Sequence, residues 1–268
     1  MNLLKITEED IEEFDELFEA TEHFSLEEIA PEVLDGNIDI KIKKETVKKF
    51  DASFLQIPVG NASFGRVLLE IMEENNIKTN YPSTAFYLMA KKNYLYYVLE
   101  EKNINIPKTA VIPSNKAIRN LEEEIYLPMI GRKFEGPEET QIRLLEEKGE
   151  LEEFSEGTQD REKYMVFHQN SSGEKYRCLV AGDNVITLQD ITDGWKIKNK
   201  NLQYSNLSKN VKKTVKKASN VIGAPVAEVL VKGEKIIDIK PNPDLDLYQE
   251  ISGKNPYEAV AEALKGDT

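Results

Sequence analysis

Cysteine is almost absent from this 268-residue sequence: a single thiol, Cys178, excludes an internal disulfide and a cysteine-rich zinc site. Histidine is nearly as scarce, with only His23 and His168. No apolar run approaches the ~18–20 residues of a membrane span, so no membrane partner is expected. The opening residues MNLLKITEEDIEEF lack the basic-then-apolar order of a signal peptide, which predicts a cytoplasmic chain whose mature form starts at Met1. Glycine (14) and proline (11) are too few for a collagen-like or low-complexity chain. What remains, 40% apolar and 31% charged residues, describes a globular protein of one large or two small domains.

Basic residues are missing above all from the N-terminus. Residues 1–35 hold 13 acids and one base, Lys5, and so carry −12 of the net charge of −13. The rest is nearly neutral, and nucleic acid is not expected as a partner. Ile11, Phe14, Leu17 and Phe18 recur at helical spacing, predicting an amphipathic helix over about 8–20. This acidic helical segment, 1–35, reads as an appendage: a solvated face, or a docking element for a basic partner.

Strands and helices alternate beyond it. A turn at Asp35-Gly36-Asn37 precedes a strand with Ile38, Ile40 and Ile42, and Phe50–Ile57 is a second strand. Helices are predicted over 66–76 and 83–102, then a strand at 108–112, a pattern pointing to an α/β domain with a parallel sheet. The second half predicts antiparallel strands at 164–169, 175–181 and 185–189. A Lys- and Asn-rich loop over 190–206, a helix from Ser208 to Gly223, two strands at 226–231 and 235–239 and a last helix at 256–264 follow. The lysines of 209–217 fit a solvated helix face better than a phosphate site.

The segment VAEVLVKGEKIIDIKPNPDL carries the most chemistry. A three-residue turn pairing Val231 with Lys235 puts Glu228 directly opposite Asp238, on the face away from Val229, Val231, Ile237 and Ile239. Facing carboxylates repel, and two arrangements relieve this. A hard cation such as Mg²⁺ bridges them, usually together with substrate phosphates; or Lys240, on the same face, neutralises the pair.

From about Asp51 onward the order of motifs resembles the ATP-grasp ligases, specifically their RimK-like branch, which joins amino acids to carboxylates. VGNASFGRVLLEIMEENNIKTNYPSTAFYLMAKKNYLYYVLEEKNINIPKT resembles the family's helix, asparagine-proline loop and lysine-led helix, and places Lys92 at its first phosphate-binding lysine. YLPMIGRKF resembles the strand with the second ATP lysine, here Arg132 with Lys133 beside it. YMVFHQNSSGEKYRCLVAGDNVITL resembles the hinge and arginine strands, implying an adenine-facing backbone near Phe167, His168 and Gln169, and a phosphate-holding Arg177. In the terminal hairpin, Glu228 and Asp238 match the two magnesium carboxylates, and Asn242 stands near the position of a metal-binding asparagine. Three positions depart from the pattern: no glycine-rich loop follows Arg132, Lys240 stands where that asparagine is usual, and Lys175 replaces an acidic residue.

The resemblance implies an α/β protein of ATP-grasp fold, two α+β lobes around a nucleotide cleft, after a small N-terminal α/β domain. The boundaries it implies are 36–82 for that domain and 83–268 for the ATP-grasp part, with a small lobe over 108–165 and a large lobe over 166–268. It implies ATP and Mg²⁺ as cofactors and ADP-forming ligation of a small-molecule or peptide carboxylate to an amine or amino acid through an acyl phosphate, with Arg177 and Lys240 catalytic. The alternative is a catalytically degenerate relative that binds nucleotide or a protein partner. A homo-oligomer is compatible with either. Of the remaining candidates, His168 reads as a structural strand residue or a base, Cys178 as core, Trp195 as loop packing or a substrate anchor, and 190–206 as a mobile lid. Asn61, Ser63 and Arg66, at a helix start, are a candidate carboxylate site.

Overall fold

The computed structural model describes residues 1–34, 37–42, 45–113, 127–156 and 163–266; the Asp35-Gly36 turn lies outside them. The chain begins with strand β1 (Asn2–Ile6), which pairs in parallel with β2 (Ala20–Phe24). An antiparallel hairpin, β3 (Ile29–Leu34) and β4 (Asn37–Ile42), with the short β5 (Glu45–Thr46), stands beside it. Next come β6 (Ala52–Leu55), helix α1 (Ala62–Glu74) and β7 (Lys78–Thr79), and the first sheet runs β2-β1-β6-β7, all parallel. Such a sheet needs cover on both faces. Leu4, Ile6 and Leu55 pack into the core that includes α1, while Leu3 and Phe54 join a second core with Tyr257 and Val260.

The N-terminus is therefore no appendage, and residues 8–20 form no α-helix. They cross from β1 to β2 through one 3-10 turn, Glu12–Phe14, with Phe14 fully buried against Phe54 and Tyr257. The apolar spacing correctly marks the inward side chains, but the backbone bonds close three residues back: Asp15 N to Glu12 O (2.9 Å) and Leu17 N to Phe14 O (3.0 Å). The Ile11 carbonyl, which an α-helix would give to Asp15 N, instead accepts from the buried Lys5 ammonium at 3.0 Å. Asp10 and Asp15 pair with that ammonium at 2.5 and 2.7 Å. Burial alone would lower the Lys5 pKa; the two carboxylates outweigh it and raise it. Part of the acidic excess thus neutralises a cation inside the sheet.

The single helix expected over 83–102 is two, α2 (Ser83–Ala90) and α3 (Lys92–Glu101), broken at Lys91, whose φ of −103° and ψ of 87° are not helical. The second sheet, order β10-β9-β11-β8, is antiparallel: β8 (Thr109–Ile112), β9 (Met129–Glu135), β10 (Glu138–Leu145) and β11 (Lys163–Gln169). Helix α4 (Lys148–Ser155) covers one face with Leu151 and Phe154. Where a glycine-rich loop would follow Arg132, β9 and β10 meet in the two-residue turn Gly136-Pro137, with Gly136 supplying the positive φ (+58°).

The third sheet runs β14-β13-β12-β15-β16, from β12 (Lys175–Ala181), β13 (Asn184–Asp190), β14 (Leu202–Tyr204), β15 (Val226–Lys232) and β16 (Lys235–Lys240), all antiparallel. Helix α5 (Lys209–Ile222) buries Val211, Val215, Ala218 and Ile222, with Ser208 capping its start and Gly223 in the left-handed region (φ +74°) at its end. Two helices close the chain, α6 (Leu245–Ser252), which is not expected from the sequence pattern, and α7 (Pro256–Lys265). No described helix is long and apolar enough to cross a membrane.

The terminal hairpin departs from the expected register. Lys232 pairs with Lys235 and Val231 with Ile236, but Leu230 pairs with Asp238 and Glu228 with Lys240. Ile237 is an extra residue in β16, a bulge. Glu228 and Asp238 keep their common face but sit diagonally, and Lys240 takes the place opposite Glu228. The bulge also exchanges the isoleucines: Ile236 goes to the core and Ile237 to the other side.

Candidate functional site

A cavity of about 370 Å³ separates the second and third sheets. Strand alternation chooses its lining on β9: Ile130, Arg132 and Phe134 point into it, while Gly131 and Lys133 point away. On the opposite wall Leu230 and Lys232 come from β15 and Ile237, Asp238 and Lys240 from β16. Lys92 projects from the first turn of α3, and β16 is the edge strand beneath that helix. Lys92 and Tyr96, one turn apart on one helix face, donate to the carbonyls of Ile239 (2.8 Å) and Ile237 (3.0 Å), two residues apart on that edge.

These contacts gather three charges. Asp238, 2% exposed, receives Lys92 Nζ at 2.7 Å on Oδ1 and Arg132 at 2.9 Å on Oδ2. Arg132 also donates to Tyr96 Oη at 2.6 Å and pairs with Glu139. Burial would raise the Asp238 pKa, but Lys92 and Arg132 hold it well below the usual carboxylate range. Burial lowers that of Lys92 despite Asp238. No motif marks Tyr96, Glu139 or Lys232 as part of the site; for Tyr96 the available signal is its position four residues after Lys92.

Glu228 and Arg177 lie on the same sheet face but do not line the cavity. Arg177 reaches Glu228 Oε1 with two donors, at 2.6 and 2.9 Å, and Tyr248 Oη donates to the same oxygen at 3.0 Å. Asn242 lines the cavity, yet its Oδ1 accepts from Tyr81 Oη at 3.2 Å and its Nδ2 donates to Ile57 O at 2.8 Å. A divalent ion such as Mg²⁺ requires several converging oxygens. Here each candidate carboxylate is engaged by internal donors, and among the described residues no three Asp, Glu, His or Cys side chains come together. This donor set does not fit a metal seat made of Glu228, Asp238 and Asn242.

Of the other expected residues, Lys133 lies over the Phe154 ring on the far side of β9 and donates to Glu156 O at 3.0 Å. Phe167 is buried in the small core with Phe154, so its side chain also points away. His168 and Gln169 line the cavity. His168 is buried against Tyr96, with Nδ1 2.8 Å from Thr109 Oγ1. Burial and the Arg132 charge push its pKa down to about 3, so the ring is neutral. Both residues line the cavity, but His168 Nε2 and Ser171 Oγ are themselves buried and have no hydrogen-bond partner among the described residues. Buried polar atoms of this kind normally have a partner.

The 190–206 segment is tied down at both ends, and β14 pairs its far end with β13. Asp190 accepts from Thr192 N (2.8 Å) and Lys198 N (2.7 Å), and Lys175, paired with Asp190 at 3.2 Å, donates to Thr192 O. Lys232 donates to Trp195 O at 3.2 Å, which holds Trp195, Lys196 and Ile197 at the cavity rim. Cys178 is core, and Arg66 is engaged with Glu70 on the surface.

No protein-family model and no curated protein matches the sequence. Solved structures do match. The ATP-grasp ligase PsnB, complexed with minimal precursor, Mg and ADP, gives a TM-score of 0.72 at 13% identity, covering 99% of this chain and 96% of that one. The macrocyclase MdnC from Microcystis aeruginosa MRC, bound with the precursor peptide MdnA, gives 0.68 at 16% identity with both chains covered fully, at 100%. A RimK domain ATP-grasp protein from Sphaerobacter thermophilus DSM 20745 gives 0.69 at 14% identity over 99% of this chain and 100% of its own.

Proposed function

Starting from a chain with the ATP-grasp fold, we propose that this protein binds ATP between its second and third sheets and uses it to join a carboxylate to an amine. One observation carries the reading: a cavity with apolar side chains on both walls, Ile130 and Ile142 on one and Leu230 and Ile237 on the other, holds Lys92, Arg132 and Lys240 as well. A base stacks against such a wall, and phosphates take such cations.

In the proposed reaction a carboxylate oxygen attacks the γ-phosphorus and the bond to the bridging oxygen breaks, giving an acyl phosphate and ADP. The amine then attacks the acyl carbon, loses its proton, and phosphate leaves. Lys92, Arg132 and Lys240 offset the charge on the phosphoryl oxygens. Acyl phosphates hydrolyse readily, so the cleft must exclude water; the Gly136-Pro137 turn on one side and Trp195–Ile197 on the other border it. PsnB and MdnC are solved with precursor peptides, which supports a peptide carboxylate as the acceptor class.

The second reading, nucleotide binding without turnover, draws on the internal pairing of Asp238 and Glu228. Product analysis separates the two. Incubated with Mg-ATP, carboxylate peptides and amino acids, a ligase releases ADP and phosphate in step with amide formation, and loses this in Lys92→Met. Stabilisation by ATP with no ADP release across a broad carboxylate and amine panel supports the second reading instead.

A further inference from the structure

Glu228 and Asp238 each spend their charge on internal cations, and a lysine stands directly across the ladder from Glu228. Among the described residues the cavity is lined by the cations Lys92, Arg132, Lys196, Lys232 and Lys240, against the anions Asp238 and Glu139. A metal ion brings positive charge to a site that carries an excess of anionic oxygens. This site already carries an excess of cations.

Resting on the nucleotide-binding reading above, we propose that the protein holds the phosphates of its nucleotide directly with fixed side-chain cations, Lys240 chief among them, so that nucleotide binding does not require a divalent metal ion. Lys240 suits the part for three reasons. It is exposed at the cavity, whereas Lys92 and Arg132 are buried and committed to Asp238. The bulge at Ile237 fixes its register opposite Glu228 and on the face of Asp238. Pro241 follows it, and Asn242 is tied to Ile57 and Tyr81, which anchors the backbone just beyond. Lys232, which donates to Asn170 and Trp195, adds a second cation on the neighbouring strand. A phosphate oxygen entering here meets ammonium groups where a metal-dependent site would present carboxylates and an amide.

The test is calorimetric titration of the full-length protein with ATP, once in EDTA and once in excess Mg²⁺. The expected result is binding in EDTA within about threefold of that in Mg²⁺, a free-energy difference below ~0.7 kcal/mol. Removing one charge-assisted contact costs about tenfold or more, so Lys240→Met weakens binding by at least that in EDTA. Lys240→Asn weakens binding in EDTA in the same way, and Mg²⁺ does not rescue it, because Asp238 and Glu228 stay committed to Lys92, Arg132 and Arg177. Lys240 is exposed, so both variants retain the fold, which circular dichroism verifies. Binding by the wild type that vanishes in EDTA and returns with Mg²⁺ overturns the proposal, as does a Lys240→Met variant that binds like the wild type in EDTA. Failure to bind ATP under either condition overturns the nucleotide-binding reading itself, and this inference with it.

Discussion

Acid should weaken this protein through His168 before it reaches the carboxylates. The imidazole is buried beneath Tyr96 with Arg132 nearby, and its pKa is pushed down from 6.5 to about 3. Between those values the unfolded chain takes up a proton that the folded chain refuses, so the stability His168 permits is complete above about pH 6.5 and falls as pH drops. The slope for one such group approaches about 1.4 kcal/mol per pH unit once the pH is well below 6.5, which amounts to roughly 2–3 kcal/mol by pH 4.5. That is a large part of the ~5–15 kcal/mol that holds a domain folded. Carboxylates add their own slope, so the comparison is with His168→Gln, which cannot titrate. Urea unfolding at about pH 7, 5.5 and 4.5 gives both stability curves. The wild type should lose about 2–3 kcal/mol more than the variant over that range. Parallel curves, or an imidazole that titrates near its ordinary value by NMR in the folded protein, would refute the reasoning.

Three further outcomes are expected. Asp238→Ala strands two buried cations and should lower stability by about 3–5 kcal/mol; a loss under about 1 kcal/mol in urea unfolding would mean that water screens the cluster. Phe14→Ala empties a fully buried aromatic site between Phe54 and Tyr257 and should cost about 3–5 kcal/mol, against almost nothing if the acidic segment were a detachable tail. Burial pushes the Cys178 thiol up to about 12, so an aromatic disulfide reagent should label it only at the rate of unfolding, whereas fast labelling of the folded protein would contradict its core position.

Much of the fold is legible in the sequence wherever one face of an element is plainly apolar. The β12–β13 hairpin, α5 with its Ser208 and Gly223 ends, and α7 follow from periodicity and caps. The failures have separate physical causes. At residues 8–20 the side-chain pattern is right and the backbone wrong, because Lys5 takes the Ile11 carbonyl. The break at Lys91 leaves no proline or glycine to mark it. In the terminal hairpin the carboxylates share a face as expected, but pairing slips at Ile237, since an extra isoleucine among isoleucines is invisible to hydrophobic pattern. For the site, alternation along β9 and β11 alone would separate Arg132 from Lys133 and His168 from Phe167. The meeting of Lys92, Arg132 and Asp238 is different: no local spacing reveals a contact between residues 92, 132 and 238, and only the order of motifs implies it.

That unpaired isoleucine has a reach beyond its own strand. Its carbonyl receives Tyr96, which in turn steadies the Arg132 guanidinium. The link runs through a main-chain oxygen, so exchanging the side chain at 237 for another leaves it intact. Shortening the strand by a single residue would erase it, regularising the ladder while leaving Arg132 to Asp238 and Glu139 without the tyrosine. A substitution at 237 should therefore be tolerated where removal of the same residue is not.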